Sequence, residues 1–148
     1  MNGIAIPWSD VPLEVIEQHG LTRLVHDRGG EKELRFMREH GILPVWHDGR
    51  LTIERWGSRS GKLPRTGYTW QASIDAGEWT VYAVEEVVIP ATAAFDRGVW
   101  YRVRQGVRGL LADYAGARAV YVVVEPASYY YKIMTRSERM PVLIGERI

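Results

Sequence analysis

The chain has 148 residues, of which 46% are hydrophobic and 25% charged, which fits one globular domain; a formal net charge of +1 excludes a polyelectrolyte. It contains no cysteine, which excludes disulfides, zinc–thiolate sites and a thiol nucleophile. No apolar run approaches the ~18 residues that a membrane span needs, and the opening MNGIAIPWSD lacks the basic region and apolar core of a signal, so the expectation is a soluble, cytoplasmic protein that touches no membrane.

NGIAIPW reads as a first strand stopped by Pro7. SDVPLEVIEQHG follows with Ser9 or Asp10 to cap, Pro12 in the first turn, Val11, Val15 and Ile16 on one face, and Gly20 to stop, which predicts a helix near residues 11–19. LTRLVHD is ambiguous between helix and strand. GGEKELRFMREHG predicts a second helix near 31–40, with Leu34, Phe36 and Met37 inward. ILPVWHDGRLTIERWG carries two apolar runs around Asp48-Gly49 and predicts a hairpin. GSRSGKLPRTGYT is a loop. EWTVYAVEEVVIP predicts a long strand ending at Pro90, and GVWYRVR with VRGLLADY a hairpin around Gln105-Gly106. ARAVYVVVE is apolar at successive positions, as in a strand buried on both faces. YYYKIMT and PVLIGE close the chain. Because most strands follow one another without helices between them, the pattern predicts a single α+β domain with a mainly antiparallel, barrel-like sheet and two or three helices.

Charge and aromatic residues are unevenly placed. From Arg55 to Thr69 stand Arg55, Arg59, Lys62 and Arg65 with no acid, and from Arg97 to Arg108 stand Arg97, Arg102, Arg104 and Arg108, again with none. Six Trp and eight Tyr against two Phe favour half-buried surfaces and stacking. Strand parity puts Trp100, Arg102 and Arg104 on one face of GVWYRVR. Cations that meet phosphates beside a ring that meets bases suit single-stranded nucleic acid. The alternative is a core-edge Trp among ordinary surface arginines.

Catalytic motifs are weak. His19, His26, His40 and His47 have no metal-ligand spacing. His19 and His40 each precede a glycine at a predicted helix end, where an imidazolium complements the helix dipole. Glu85 and Glu86 are neighbours on a predicted strand, so they point to opposite faces. The segment around Lys62 lacks the order of a phosphate loop.

Five stretches occur in an order that resembles the SOS response-associated peptidase (SRAP) family: Met1-Asn2-Gly3, Arg55-Trp56-Gly57, Gln71-Ala72-Ser73-Ile74-Asp75, Ile89-Pro90-Ala91 through Asp96, and Ser137-Glu138-Arg139-Met140-Pro141-Val142. The family's counterparts are Met-Cys-Gly-Arg, Arg-Trp-Gly-Leu-Ile-Pro, Asn-Ala-Arg-x-Glu, Val-Pro-Ala-x-Gly-Phe-Tyr-Glu-Trp and His-x-Arg-Met-Pro-Val. The resemblance implies an α/β fold with a barrel-like sheet core, binding of single-stranded DNA, and covalent capture of abasic sites by an N-terminal Cys assisted by Asn, Glu and His. Here those positions hold Asn2, Gln71, Asp96 and Ser137, and Ser73 replaces an Arg. The resemblance therefore implies a degenerate pocket of Asn2, Gln71, Asp96, Ser137 and Arg139 on a retained scaffold.

The leading expectation is a domain without catalytic residues that binds single-stranded or damaged DNA, as in a DNA damage response, with no metal or organic cofactor. Its contacts would be Arg55, Trp56, Arg59, Lys62, Arg65, Trp100, Arg102 and Arg104. Arg139 is read either as a phosphate or carboxylate contact or as half of a buried ion pair. A second hypothesis is altered chemistry on abasic-site DNA, lyase or cross-linking, in which a free α-amine at residue 1 forms an imine with Asp96 as acid and base and Gln71 as orienting group. A third is a protein-interaction module, such as a phage or mobile-element accessory protein with a protein partner.

Overall fold

The alternation Glu33-Leu34-Arg35-Phe36-Met37 decides the first sheet. A computed structural model describes residues 1–148 and makes this stretch a strand, β3 (Glu31–Met37), with Leu34 and Phe36 wholly buried. The helix expected over 31–40 is therefore corrected. Gly29 and Gly30 do not precede a helix. With φ of 61° and 88° they form the two-residue turn that pairs β3 with β2 (Val25–Arg28). Only Arg38–His40 is helical, as one 3₁₀ turn, and the His40 imidazole accepts the Met37 N–H (3.0 Å) instead of capping an α-helix.

On its other side β3 pairs with β1 (Gly3–Pro7), and β1 pairs with β8 (Ala93–Asp96), which pairs with β9 (Val99–Arg102). All these pairings are antiparallel, in the order β2-β3-β1-β8-β9. Between β1 and β2 lies α1 (Leu13–His19), entered through Pro12 and ended by Gly20 at φ 61°.

The second sheet runs β12 (Arg139–Pro141), β11 (Ala117–Pro126), β10 (Val107–Tyr114), β7 (Ala83–Ile89), β4 (Ile42–His47), β5 (Arg50–Arg55). Asp48-Gly49 turns β4 into β5 as expected. The hairpin expected at Gln105-Gly106 is corrected: β9 and β10 lie in different sheets, and this bend carries the chain between them. Gly106 has φ 108°, and a Cβ there would sit 2.7 Å from the Ile89 carbonyl oxygen. The actual hairpins turn at Arg97-Gly98 and Ala115-Gly116. β7 starts later than expected because Trp79 folds inward and donates its indole N–H to the Thr69 hydroxyl (2.7 Å). YYYKIMT forms a helix, α3 (Tyr129–Thr135), nucleated by the Ser128 hydroxyl, which accepts the Tyr131 N–H. Two short elements complete the fold: β6 (Tyr68–Trp70), parallel to β11, and α2 (Gln71–Asp75).

β11 is buried on both faces from Ala119 to Val124, as the sequence implied. Val120, Val122 and Val124 join the main core with Ile4, Phe36, Leu43 and Ile89, while Ala119, Tyr121 and Val123 join a smaller cluster with Trp79 and Leu63. Past β5 the chain returns to β11: Trp56 forms a parallel bridge with Val120, and the Gly57 N–H donates to the Val120 carbonyl (2.8 Å). The result is an α+β domain of mainly antiparallel sheets with three helices, none long and apolar enough to cross a membrane.

Candidate nucleic-acid cleft

Backbone pairing fixes the first two residues. The Asn2 N–H donates to the Phe95 carbonyl (2.7 Å), and the Asn2 carbonyl accepts from the Arg38 N–H (2.8 Å). Residue 1 is thereby held between the ends of β3 and β8, where its α-ammonium meets Asp96 Oδ2 at 3.2 Å. The Met1 side chain is fully buried although the residue retains some exposure, so what solvent reaches of residue 1 is backbone.

Asp96 is 2% exposed and closes β8. The same Oδ2 accepts the Tyr131 hydroxyl at 2.8 Å, and the Tyr101 and Tyr131 hydroxyls lie 3.0 Å apart. Since the Tyr131 proton points to the carboxylate, Tyr101 donates to Tyr131. Burial pushes both phenols well above their ordinary pKa, so they stay protonated donors. Burial also lowers the pKa of the Met1 amine from its ordinary 8.0; Asp96 opposes this, while Arg139 and Arg97 add to it.

A cleft of about 210 Å³ opens beside this group, lined by Met1, Asn2, Arg38, Trp56, Tyr68 and Arg139 among others. Two cations on its walls rest on aromatic rings. The Arg139 guanidinium lies 3.9 Å from the Tyr68 ring centre and that of Arg38 5.4 Å from Trp56. Arg38 also donates to the Trp56 carbonyl (3.0 Å). Gly57 and Gly67 make this packing possible: at Gly57, φ is 72° and a Cβ would collide with the Thr66 carbonyl, and at Gly67 a Cβ would strike the Arg38 side chain. Trp56 and Arg38 also line a second cavity of about 330 Å³, shared with Arg55, Arg59 and His40. None of Arg38, Arg55, Arg59 and Arg139 has a carboxylate partner. That removes the ion-pair reading of Arg139.

Of the five pocket residues named from sequence, Asn2 and Arg139 line this cleft, while buried Asp96 lies behind it, bonded to the amine of Met1. Ser137 is buried, with its hydroxyl spent on the Arg139 carbonyl (2.9 Å), so it holds the backbone beneath Arg139. Gln71 lies elsewhere: it begins α2, accepts from Arg108 and donates to Asp75, in a separate pocket with Glu125 and Arg147.

The eight named contacts also separate. Arg55 and Arg59 line the second cavity. Trp56 is 3% exposed, with its indole N–H bonded to the Gly67 carbonyl (2.9 Å), so it is a wall between the two clefts and not a stacking surface. Lys62 donates to the Ala115 carbonyl (2.9 Å) at the β10–β11 turn, and Arg65 is exposed near Gly61. Trp100 and Arg102 share one face of β9, but the expectation for Arg104 is corrected, since β9 ends at Arg102 and Arg104 lies past it, its N–H bonded to the Glu146 carboxylate. Trp100 packs on Phe95 and under the Arg35 guanidinium, and with Arg102 it borders another pocket. The two cation-rich segments thus do not share one groove. Sequence reasoning missed Arg38, Tyr68, Tyr101 and Tyr131. Recognising Gly29-Gly30 as a turn would have placed Arg38 at a strand end; nothing local marks the tyrosines.

No family model, curated protein or solved structure matches this chain.

Proposed function

We propose that this chain is a catalytically degenerate SRAP-like domain that binds single-stranded or damaged DNA in the cleft between Arg38 and Arg139. The observation that carries the reading is the pair of guanidiniums, each resting on an aromatic ring and neither neutralised by a carboxylate, on either side of a narrow cleft. Stacking holds each cation in place, and it leaves for a phosphate the Arg139 donors and those of Arg38 that are not bonded to the Trp56 carbonyl. Further support comes from the return of the chain at Trp56 to β11, which favours a barrel-like closure of the second sheet, and from Asn2 and Arg139 lining one cleft with Asp96 bonded to the Met1 amine behind it.

The test is fluorescence anisotropy with single-stranded, duplex, junction and abasic oligonucleotides at two salt concentrations. Arg38 and Arg139 in contact with two phosphates give a log–log salt slope of about −1.4, at ~0.7 per phosphate. Arg139→Ala lowers both affinity and slope. Absence of binding at low salt would overturn the reading in favour of a protein-interaction role.

The amine of Met1 against Asp96 favours a second reading, imine formation with the aldehyde of an abasic site. Borohydride trapping of the chain on an abasic oligonucleotide decides between the two.

A further inference from the structure

The second cavity carries more positive charge than one internal phosphate uses. Arg38, Arg55 and Arg59 line it together with His40, and no acidic residue does. His40 accepts the Met37 N–H at Nδ1, so its proton is on Nε2 and that atom is a donor. Arg38 is held below its ordinary pKa by partial burial and by the charge of Arg59, a sign that these cations repel one another without a counter-ion. Buried Trp56 and Gly57 form its inner wall, so the site is a cationic recess with a solid back.

We propose that this recess binds a phosphate monoester, the terminal phosphate of a nucleic-acid strand. An internal diester brings one negative charge and must leave on both sides. A monoester brings about −1.5 to −2 at pH 7 and three acceptor oxygens, and it approaches from one side only. Three guanidiniums and an imidazole N–H supply matching charge and donors. Arg38 lines both cavities, so a strand whose end sits here continues into the cleft beside Arg139. The inference rests on the reading of that cleft as a strand-binding surface, and it fixes which part of the strand is recognised: its end.

The experiment compares one short oligonucleotide in three forms, with a 5′-phosphate, with a 3′-phosphate and with hydroxyls at both ends. A nucleoside monophosphate and inorganic phosphate serve as competitors. One phosphorylated form binds at least about tenfold tighter than the hydroxyl form, the gain expected from charge-assisted hydrogen bonds. Arg55→Ala with Arg59→Ala, both exposed residues, abolishes that difference and leaves binding of the hydroxyl form within about threefold. Arg139→Ala weakens all three forms alike. Equal binding of all three forms by the wild type overturns the monoester site while the strand reading stands. If no strand binds but the monophosphate does, and the double variant loses it, the strand reading falls and the monoester site stands as a site for free phosphate esters. If neither binds, both fall.

Discussion

Tyr131→Phe removes one oxygen from the centre of a buried relay. That oxygen donates to Asp96 at 2.8 Å and accepts from Tyr101 at 3.0 Å, and Tyr131 is wholly buried. Phenylalanine fills the same space, so no cavity forms and the change isolates the hydrogen bonds. A bond to a charged group contributes about 1.5–3 kcal/mol, and Tyr101, which keeps some exposure, can donate to water instead. The expected loss is therefore about 1.5–3 kcal/mol, or about 3–12 °C in Tm for a domain of this size. Tyr101→Phe breaks only the neutral bond and costs about 0.5–1.5 kcal/mol. Urea melts of Tyr131→Phe, Asp96→Asn and the double variant then form a cycle, with an expected interaction energy of about 1–2 kcal/mol. A loss below about 0.5 kcal/mol for Tyr131→Phe, or strict additivity in the cycle, would refute the relay.

The Met1 α-amine, followed by NMR with labelled methionine, should titrate below 8.0, because burial outweighs the pull of Asp96. A depressed amine pKa means that the unfolded chain binds more protons in that window, so the amine's contribution to stability is complete above about pH 8 and is lost as pH falls through the folded value. A midpoint at or above 8.0 contradicts this. Gly57→Ala should lower stability by more than about 2 kcal/mol in urea melts, since left-handed backbone and a collision with Thr66 act together. Phe36→Ala should cost about 3–5 kcal/mol in urea melts while Lys32→Ala on the same strand changes little; equal losses would contradict the burial of Phe36. Asn2→Cys, followed by Met1 removal confirmed by mass, should return some cross-linking to abasic DNA; processing without any adduct would count against the resemblance.

What the sequence disclosed divides by range. Local signals held wherever a turn residue sat between clear patterns: Pro12 and Gly20 bracket α1, and Asp48-Gly49 turns β4 into β5. Three other two-residue turns went unread. Gly29-Gly30 precedes a run that also fits a helix start, and at Arg97-Gly98 and Ala115-Gly116 the first position takes positive φ on a side chain that avoids it, at 46° and 52°. Sheet pairing overrides that preference. Misreading the first of them turned β3 into a helix and hid Arg38. The Gln105-Gly106 bend reads as a hairpin and so extends the strand to Arg104, although β9 ends at Arg102 and the bend carries the chain between sheets. The relay lay beyond any local pattern, because Met1, Asp96, Tyr101 and Tyr131 come from three distant segments, the N-terminus, the β8–β9 hairpin and α3. Only the order of segments in the resemblance hinted that Asp96 and the N-terminus belong together.

The relay also bears on which of the two functional readings is favoured. Imine formation needs a neutral amine, so the Met1 ammonium must lose a proton before it attacks a carbonyl carbon. Burial helps, since it lowers the amine pKa. The nearest acceptor is Asp96 Oδ2, and that oxygen already accepts the Tyr131 hydroxyl at 2.8 Å as well as the ammonium at 3.2 Å. Tyr131 is fixed in turn by Tyr101 and by its place in α3, and its raised pKa makes it a permanent donor. A proton moved to Oδ2 would compete with that donor, and the ion pair that anchors the first strand would be lost. A general base works best with a free lone pair facing its substrate. Asp96 instead spends the oxygen nearest the amine on two donors in the resting state. The geometry therefore favours Asp96 as an anchor for the N-terminus and the cleft as a binding surface. Rapid borohydride trapping by the wild type, unchanged in Tyr131→Phe, would show that this commitment does not restrain the amine.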